Sequence, residues 1–313
     1  MAELKLKTAI QSLGHTLALK DGSVRPQGFV FEFEEVPTII QAFRRMVRGN
    51  EFDISEMAIT TYLCARAFGH RFTALPIFLV RAFHHGAIVH NTKLGIRGPK
   101  DLEGRKVGVN RGYTVTTGVW ARGLLAHEYG VDLAKITWVL SGDEHVAEYR
   151  PPANVVAIDP GRKMEDLLAS GEIAAAIGVS IDHPDVKPLI PNAAEAGFAA
   201  LAATGYYPIN HTLVVRDELL AAHPGLAREI FAVFAEAKRR YVERLANSAE
   251  ATANDLRYRR VMAITGADPL PYGLEPNRRM VASVVRYAVE QGIISEPASL
   301  EELFAPGSQD LLG

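Results

Sequence analysis

A short segment in the first half of the chain combines residue types that bind small anions. Within residues 106–123, an apolar run predicts a buried strand, a turn with Gly and Thr follows, and a helical pattern then begins. Such a turn directs free backbone N–H groups and the positive end of a helix dipole at one place. Hydroxyl and guanidinium groups suit carboxylate or phosphate, and we expect an anion site formed by Arg111, Thr114, Thr116, Thr117 and Arg122.

The same segment also fits an ordinary capped helix. In that case the threonines only satisfy the helix start and the arginines form surface salt bridges. Arg122 lies about one turn beyond Thr117, so of these arginines we expect it to face solvent. Trp120 fits either the core stripe of the helix or a ring that stacks on an aromatic ligand.

The composition is that of an ordinary folded protein. The chain has 313 residues, of which 48% are hydrophobic and 22% are charged, enough for one large domain or two of medium size. A net charge of −2 without a long Lys/Arg run argues against nucleic-acid binding. No stretch is apolar for long enough to span a membrane, and the N-terminal residues form no signal-peptide core, so we expect a cytoplasmic protein with no membrane partner.

Strands alternate with helices through the first two thirds of the chain. The patterns predict strands near 4–10, 29–33, 52–54, 75–80, 86–90, 107–109, 136–140, 174–177 and 212–215. Helices are predicted over 38–48, 56–68, 116–129, 164–170, 226–245 and 280–288. Most of them end at a glycine, namely Gly49, Gly69, Gly130, Gly171 and Gly292, and Asp217 is expected to cap another helix. This alternation predicts a parallel sheet and an α/β fold.

Several phrases of the sequence resemble a known family. Residues 98–109 (GPKDLEGRKVGV) resemble a phrase that recurs in the type 2 periplasmic-binding-protein fold, and residues 53–56 fit it as well. Narrower phrases are similar to the 4,5-dihydroxyphthalate decarboxylase-like group, and the resemblance spans essentially the whole chain. These phrases are residues 81–88 (RAFHHGAI), 120–123 (WARG), 208–215 (PINHTLVV) and 268–274 (DPLPYGL).

The resemblance implies a particular architecture. It is an α/β, two-lobed type 2 periplasmic-binding-protein-like fold with two crossover strands and a helical C-terminal segment. Lobe one would comprise residues 1–88 plus 206–313, and lobe two residues 89–205. In this fold the ligand meets the carboxyl ends of strands in an interlobe cleft.

The resemblance also implies a reaction, the decarboxylation of a hydroxylated aromatic dicarboxylate such as 4,5-dihydroxyphthalate. Loss of CO₂ needs an acid that protonates the ring carbon, an acceptor for the phenol, and a cation for the remaining carboxylate. No cofactor is required in principle, and none is expected. Histidine titrates near neutral pH, and the catalytic candidates are His211, His84, His85 and Glu56.

The other candidates would bind the anionic aromatic carboxylate. Arg81 is the preferred clamp of lobe one, and Arg111 or Arg122 that of lobe two. Further contacts are expected from Ser55, Asn210, Trp120 and the three threonines. Glu56 fits a helix cap equally well. Because neighbouring side chains on an extended segment point opposite ways, only one of His84 and His85 is expected to face the cleft.

Other functions remain open at this point. The same fold serves solute-binding receptors of ABC-type transporters, which would bind a small anionic ligand without turnover, and it serves other enzymes. No metal site is expected, since His90 and residues 182–185 lack the spacing of a known site. The single cysteine, Cys64, is expected in the core. The apolar face of the C-terminal helix fits internal packing or a homo-oligomer.

Overall fold

The computed structural model describes residues 4–247 and 251–313, and the chain divides into two units. Unit one comprises Met1–Arg81, Ile209–Ser283 and Pro297–Gly313. Unit two comprises Ala82–Pro208 and Val284–Glu296. The lobe boundaries expected from the sequence stay a prediction. No helix of the described residues is long and apolar enough to cross a membrane.

Unit one is built on a five-stranded sheet with the strand order β2-β1-β3-β11-β4. The strands are β1 (Leu4–Ala9), β2 (Phe29–Phe33), β3 (Ile54–Ala58), β4 (Phe72–Arg81) and β11 (Ile209–Arg216). β1 pairs in parallel with β2 and β3, whereas β11 runs antiparallel to β3 and β4. The alternating leucines of the N-terminus therefore form a strand, as predicted, with Leu6 in the core.

Helices cover the sheet of unit one. They are α1 (Leu17–Lys20), α2 (Ile39–Gly49), α3 (Ile59–Ala67), α7 (Asp217–Ala222), α8 (Leu226–Asn247) and α9 (Ala253–Thr265). The apolar stripe of α8, with Ile230 and Phe234, packs in one core with Leu75 and Leu213 of the sheet. Cys64 is buried in α3, which confirms its core position.

Unit two has a six-stranded sheet with the order β10-β5-β9-β6-β7-β8. Its strands are β5 (Ile88–Asn91), β6 (Lys106–Val109), β7 (Thr137–Leu140), β8 (Val155–Ala157), β9 (Ala175–Ile177) and β10 (Val186–Pro188). Its helices are α4 (Thr116–His127), α5 (Met164–Ser170) and α6 (Ala193–Thr204). The residues of α10 (Arg278–Glu290) are divided between the two units.

Both sheets are mixed: each contains parallel pairs, as the alternation of strands and helices predicts, and each also contains antiparallel pairs, which it does not predict. In unit two, β6 pairs in parallel with β7 and β9, but β5 runs antiparallel to β9 and β10. A strand that returns from a distant part of the chain, as β11 does, can enter a sheet in either direction. Local periodicity reports the existence of a strand but not its partner.

Four local predictions are wrong in detail. The helix expected from Glu56 begins at Ile59, because residues 54–58 form β3 instead. Gly49 still belongs to α2, and the left-handed residue that ends this helix is Asn50, with φ 49°. Asp217 is the first residue of α7 and not its N-cap. Residues 86–90 are not extended throughout, since a 3₁₀ turn at His85–Ala87 precedes β5.

Candidate functional site

The antiparallel pairing of β3 with β11 brings two candidate residues together. Glu56 pairs with Leu213 and Ala58 pairs with His211, so Glu56 and His211 are diagonal neighbours on one face of the sheet. The Nδ1 atom of His211 lies 2.6 Å from Oε1 of Glu56. These residues are 155 positions apart in the chain, and the pair therefore depends on the register of the sheet.

The carboxylate of Glu56 is completely buried and is bound on both oxygens. The side chain of Gln11 donates to Oε1 at 2.7 Å, and the backbone N–H of Gln11 donates to Oε2 at 2.9 Å. Burial alone would raise the pKa of Glu56, but the hydrogen bond and charge of His211 and the bonds from Gln11 hold it below its usual value. An ionised Glu56 therefore faces His211 at neutral pH.

His211 combines a fixed orientation with access to solvent. Its ring packs edge-on against Phe43, with the centroids 5.0 Å apart, and 17% of the side chain remains exposed. The pairing of β11 with β4 shifts register on both sides of His211, an irregularity that often redirects a functional side chain. Because Nδ1 faces Glu56, Nε2 at the opposite edge of the ring is the atom available for proton exchange.

The other candidates of unit one have structural partners. Arg81 is buried at the end of β4, where its guanidinium donates to the side-chain oxygen of Asn277. Asn277 is itself fixed by the carbonyls of Pro271 and Gly273. Ser55 is buried and donates to the Glu56 carbonyl at 2.8 Å. Asn210 is buried in β11, next to His211.

In unit two, the predicted anion segment forms the expected strand, turn and helix, and a carboxylate already lies in the turn. The carboxylate belongs to Glu144. It accepts hydrogen bonds from the backbone N–H groups of Tyr113 and Thr114, the latter at 3.1 Å, and from the Thr114 hydroxyl at 2.6 Å. Gly112 leaves room for it, because a Cβ there would lie 2.5 Å from Oε2 of Glu144. The turn thus binds a carboxylate, as its residue types predict, but the carboxylate is the protein's own.

Arg111 is the cation of this turn. Its φ of 73° lies in the left-handed region, which costs a bulky residue about 1–3 kcal/mol, and its backbone N–H is held by the Ser141 hydroxyl at 2.8 Å. The half-buried guanidinium has no acidic partner among the described residues, and burial lowers its pKa. A ligand carboxylate would give the Arg111 guanidinium an acidic partner. The hydroxyl-bearing Thr116 is buried at the start of α4, and Thr117 is half-buried.

Arg122 lies in the interior, so the expectation that it faces solvent is wrong. Its Nε donates to the Gln291 side chain at 2.8 Å, and Nη2 donates to the Tyr113 carbonyl at 2.6 Å. The guanidinium also lies 3.8 Å from the ring centroid of Tyr113. Arg122 therefore stabilises the 111–117 turn through its contacts with Tyr113.

His84, His85 and Trp120 are all buried in unit two. The ring of His84 stacks parallel to Trp120 at 6.5 Å, and Trp120 also meets Tyr206 and Tyr287 edge-on. Of the two alternatives given by the sequence, Trp120 therefore fits the core stripe of the helix. His85 lies 3.2 Å from the Glu128 carboxylate. The premise that both histidines lie on an extended segment is wrong, since His85 begins a 3₁₀ turn.

Among residues 4–247 and 251–313, no three side chains of His, Cys, Asp or Glu converge in the way that a metal site requires. Unit one thus offers a partly exposed imidazole at His211, bound to Glu56. Unit two, taken by itself, offers a turn at 111–117 that binds a carboxylate.

Comparison with curated proteins decides the family. The chain is 31% identical to a 4,5-dihydroxyphthalate decarboxylase of Comamonas testosteroni over 329 aligned positions, which cover 98% of each protein. A protein of the same name from Pseudomonas putida is 31% identical over 188 positions, 57% of this chain and 71% of that protein. The chain belongs to the 4,5-dihydroxyphthalate decarboxylase family. No protein-family profile matches it.

Membership in the 4,5-dihydroxyphthalate decarboxylase family confirms the predicted class, a carboxy-lyase. Solved structures confirm the α/β periplasmic-binding-protein-like fold. The aliphatic sulphonate binding protein SsuA of Escherichia coli has a TM-score of 0.54 at 13% identity, covering 99% of this chain and 94% of that one. The desulfurization enzyme DSZB has a TM-score of 0.53 at 14% identity, covering 98% of both chains.

Two residues of the decarboxylase-family chain were missed by the sequence analysis. Gln11 follows the first strand and binds both oxygens of Glu56. Glu144 lies 30 positions beyond the turn that it fills. Each follows a strand of its sheet, and the rule that carboxyl ends of parallel strands carry functional groups could have drawn attention to them.

Proposed function

We propose that this protein decarboxylates a hydroxylated aromatic dicarboxylate such as 4,5-dihydroxyphthalate. The observation that carries the proposal is the hydrogen-bonded pair of Glu56 and His211, in which a buried carboxylate orients a partly exposed imidazole. Membership in the 4,5-dihydroxyphthalate decarboxylase family supports the choice of substrate.

The pair fits the proton transfer that this reaction needs. Protonation of the ring carbon forms a C–H bond, the bond from that carbon to the carboxylate breaks, and its electron pair returns to the ring as CO₂ leaves. In this proposal Nε2 of His211 delivers the proton and later takes one back from water. Ionised Glu56 stabilises the imidazolium form and holds its Nδ1–H. The transfer consumes no electrons, and the proposal therefore includes no cofactor.

Carboxylate binding needs a cation, and within unit two Arg111 has a guanidinium without an acidic partner among the described residues. The backbone of the 111–117 turn binds the Glu144 carboxylate through two N–H groups and a hydroxyl, a pattern that suits any carboxylate. Arg81 is bound to Asn277, and we therefore assign it the role of supporting this end of β4. A cytoplasmic location remains part of the proposal.

The second candidate function is a solute-binding receptor. The fold likeness to SsuA, whose structures carry the description of sulfonate-binding proteins, favours it. A receptor would bind an aromatic dicarboxylate and return it unchanged. The hydrogen-bonded Glu56–His211 pair favours the enzyme, because binding alone does not require an imidazole oriented by a buried carboxylate.

Incubation of the purified protein with 4,5-dihydroxyphthalate separates the two. The enzyme releases one CO₂ and one 3,4-dihydroxybenzoate for each substrate consumed, which mass spectrometry and a CO₂ assay both follow. The receptor binds the compound in calorimetry and yields neither product. Binding without product would reject the proposal, and so would product formation that stops when metal ions are removed from the buffer by a chelator.

A further inference from the structure

Gln11, the second residue after β1, binds both oxygens of the buried Glu56 carboxylate. Its backbone N–H donates to Oε2 at 2.9 Å, and its side-chain amide donates to Oε1 at 2.7 Å. The last torsion angle of a glutamate side chain is broad, so a carboxylate without such donors can rotate. Two donors on two different oxygens therefore fix the plane of the Glu56 carboxylate.

Oε1 of Glu56 accepts hydrogen bonds from two side chains. The amide nitrogen of Gln11 lies 2.7 Å away, and Nδ1 of His211 lies 2.6 Å away. Because an ionised carboxylate only accepts hydrogen bonds, the imidazole must carry its hydrogen on Nδ1 in this arrangement. In the neutral ring, Nε2 is then the atom without a hydrogen, which is the form in which His211 can take a proton back from water.

The side-chain donor on Glu56 is neutral, and this preserves the charge of the carboxylate for His211. Among residues 4–247 and 251–313, Glu56 forms an ion pair with His211 alone. A lysine or arginine in place of Gln11 would attract the same carboxylate and weaken its hold on the imidazolium. An amide orients the carboxylate by hydrogen bonding and leaves its negative charge to stabilise protonated His211.

The backbone of Gln11 is held in turn by a buried hydroxyl. Thr16 is fully buried, and its hydroxyl donates to the Gln11 carbonyl at 2.7 Å and accepts the Leu13 N–H at 2.8 Å. Thr16 directly precedes α1, but its side chain forms no cap of that helix. Its hydroxyl is committed instead to the turn at residues 11–16, which fixes the place from which Gln11 reaches Glu56.

We propose that Gln11 is a positioning residue for the decarboxylation, and that Thr16 keeps it in place. Gln11 acts through Glu56: it fixes the carboxylate so that Oε1 faces Nδ1 of His211. His211 therefore keeps its hydrogen on Nδ1 and its Nε2 atom for proton exchange. The inference rests on the proposed function, in which His211 delivers the proton to the ring carbon.

NMR of the whole protein with carbon- and nitrogen-labelled histidine rings tests the positioning without turnover. The His211 signals are those that His211→Asn lacks. In the wild type, we expect the neutral His211 ring to carry its hydrogen on Nδ1 alone. Gln11→Leu keeps the approximate size of the side chain and removes the amide donor, and it should yield a mixture of both tautomers. Gln41→Leu is the matched control, because Gln41 is an exposed glutamine of α2, and it should keep the wild-type tautomer.

The kinetic expectation is a fall in kcat with little change in KM. Gln11→Leu should lower kcat for 4,5-dihydroxyphthalate about tenfold or more, since a displaced proton donor slows the chemical step. The KM should stay close to the wild-type value, because the Gln11 amide is bound to Glu56 and acts only through it. Thr16→Val should act in the same direction, whereas Thr16→Ser, which keeps the hydroxyl, should have the wild-type kcat and tautomer.

Retention of the wild-type His211 tautomer in Gln11→Leu would overturn the inference, even where kcat falls, because the loss of activity would then have a merely structural cause. Equal effects of Thr16→Val and Thr16→Ser would overturn the role of Thr16. The proposed function fails separately. A wild type that yields no CO₂, while Gln11→Leu still changes the tautomer, would reject decarboxylation and support the placement of Glu56 by Gln11.

Discussion

The burial of His15 leads to a quantitative prediction about how the free energy of unfolding depends on pH. His15 is 1% exposed, and burial lowers its pKa to about 4 in the folded protein, against the usual histidine value of 6.5. Between these values the unfolded chain binds a proton that the folded protein does not, so stability falls as the pH is lowered from about 6.5 towards 4. Each pKa unit corresponds to about 1.4 kcal/mol, and the loss from this histidine is therefore about 2 kcal/mol at pH 5 and about 3 kcal/mol at pH 4.

Urea unfolding followed by circular dichroism measures this loss. The wild type and the His15→Leu variant are compared at pH 7.5 and pH 5, and the difference of the two pH effects isolates His15 from other titrating groups. We expect the wild type to lose about 2 kcal/mol more than the variant. His223 is exposed, and His223→Leu is the control for the replacement of a histidine by leucine.

The reasoning would be refuted by parallel pH profiles for the wild type and His15→Leu. A direct NMR titration of carbon-labelled histidines gives a second reading. A His15 ring signal that titrates near 6.5 would show that water reaches the imidazole and that burial does not hold the ring neutral.

Two further substitutions test the structure of unit two. Glu144→Ala removes the acceptor of the Tyr113 and Thr114 amides, and we expect a loss of about 1–3 kcal/mol in urea unfolding, with partial recovery in Glu144→Gln. Full stability in Glu144→Ala would contradict the role given to this carboxylate. Gly123→Ala should cost about 1–3 kcal/mol, because its Cβ would lie 2.2 Å from the Tyr287 ring, whereas Gly98→Ala meets no atom within 4 Å and serves as the neutral control.

The anion-binding turn shows how much local sequence could predict. The apolar run, the turn residues and the start of α4 at Thr116 are all encoded within a dozen positions, and the structure has them as expected. The carboxylate that fills the turn comes from Glu144, in a loop after β7. No local pattern identifies such a partner, since its position depends on how β6 and β7 pair.

Glu56 shows why a local sequence pattern also gave a wrong secondary-structure prediction. The residues that follow it are typical of a helix, and α3 does begin at Ile59. Pairing with β1 on one side and with β11 on the other draws residues 54–58 into the sheet, and such long-range pairing outweighs helix propensity. The same pairing creates the contact between Glu56 and His211. The strand that the local pattern does not predict therefore also forms the candidate site.

Arg122 illustrates a third limit. Counting turns along α4 places it beyond the threonines, but which face of a helix is buried depends on what packs against it. Here Gln291, 169 positions away, accepts a hydrogen bond from its Nε. A guanidinium with such partners can be buried completely, which composition and spacing do not reveal.

The central claim is that His211, oriented by Glu56, transfers the proton in decarboxylation. Its most direct test is kcat for 4,5-dihydroxyphthalate in His211→Asn, with His223→Asn as the matched control. We expect kcat to fall by roughly 10²–10⁴-fold in His211→Asn and to stay at the wild-type value in His223→Asn. A His211→Asn variant that is folded and retains wild-type kcat would contradict the account.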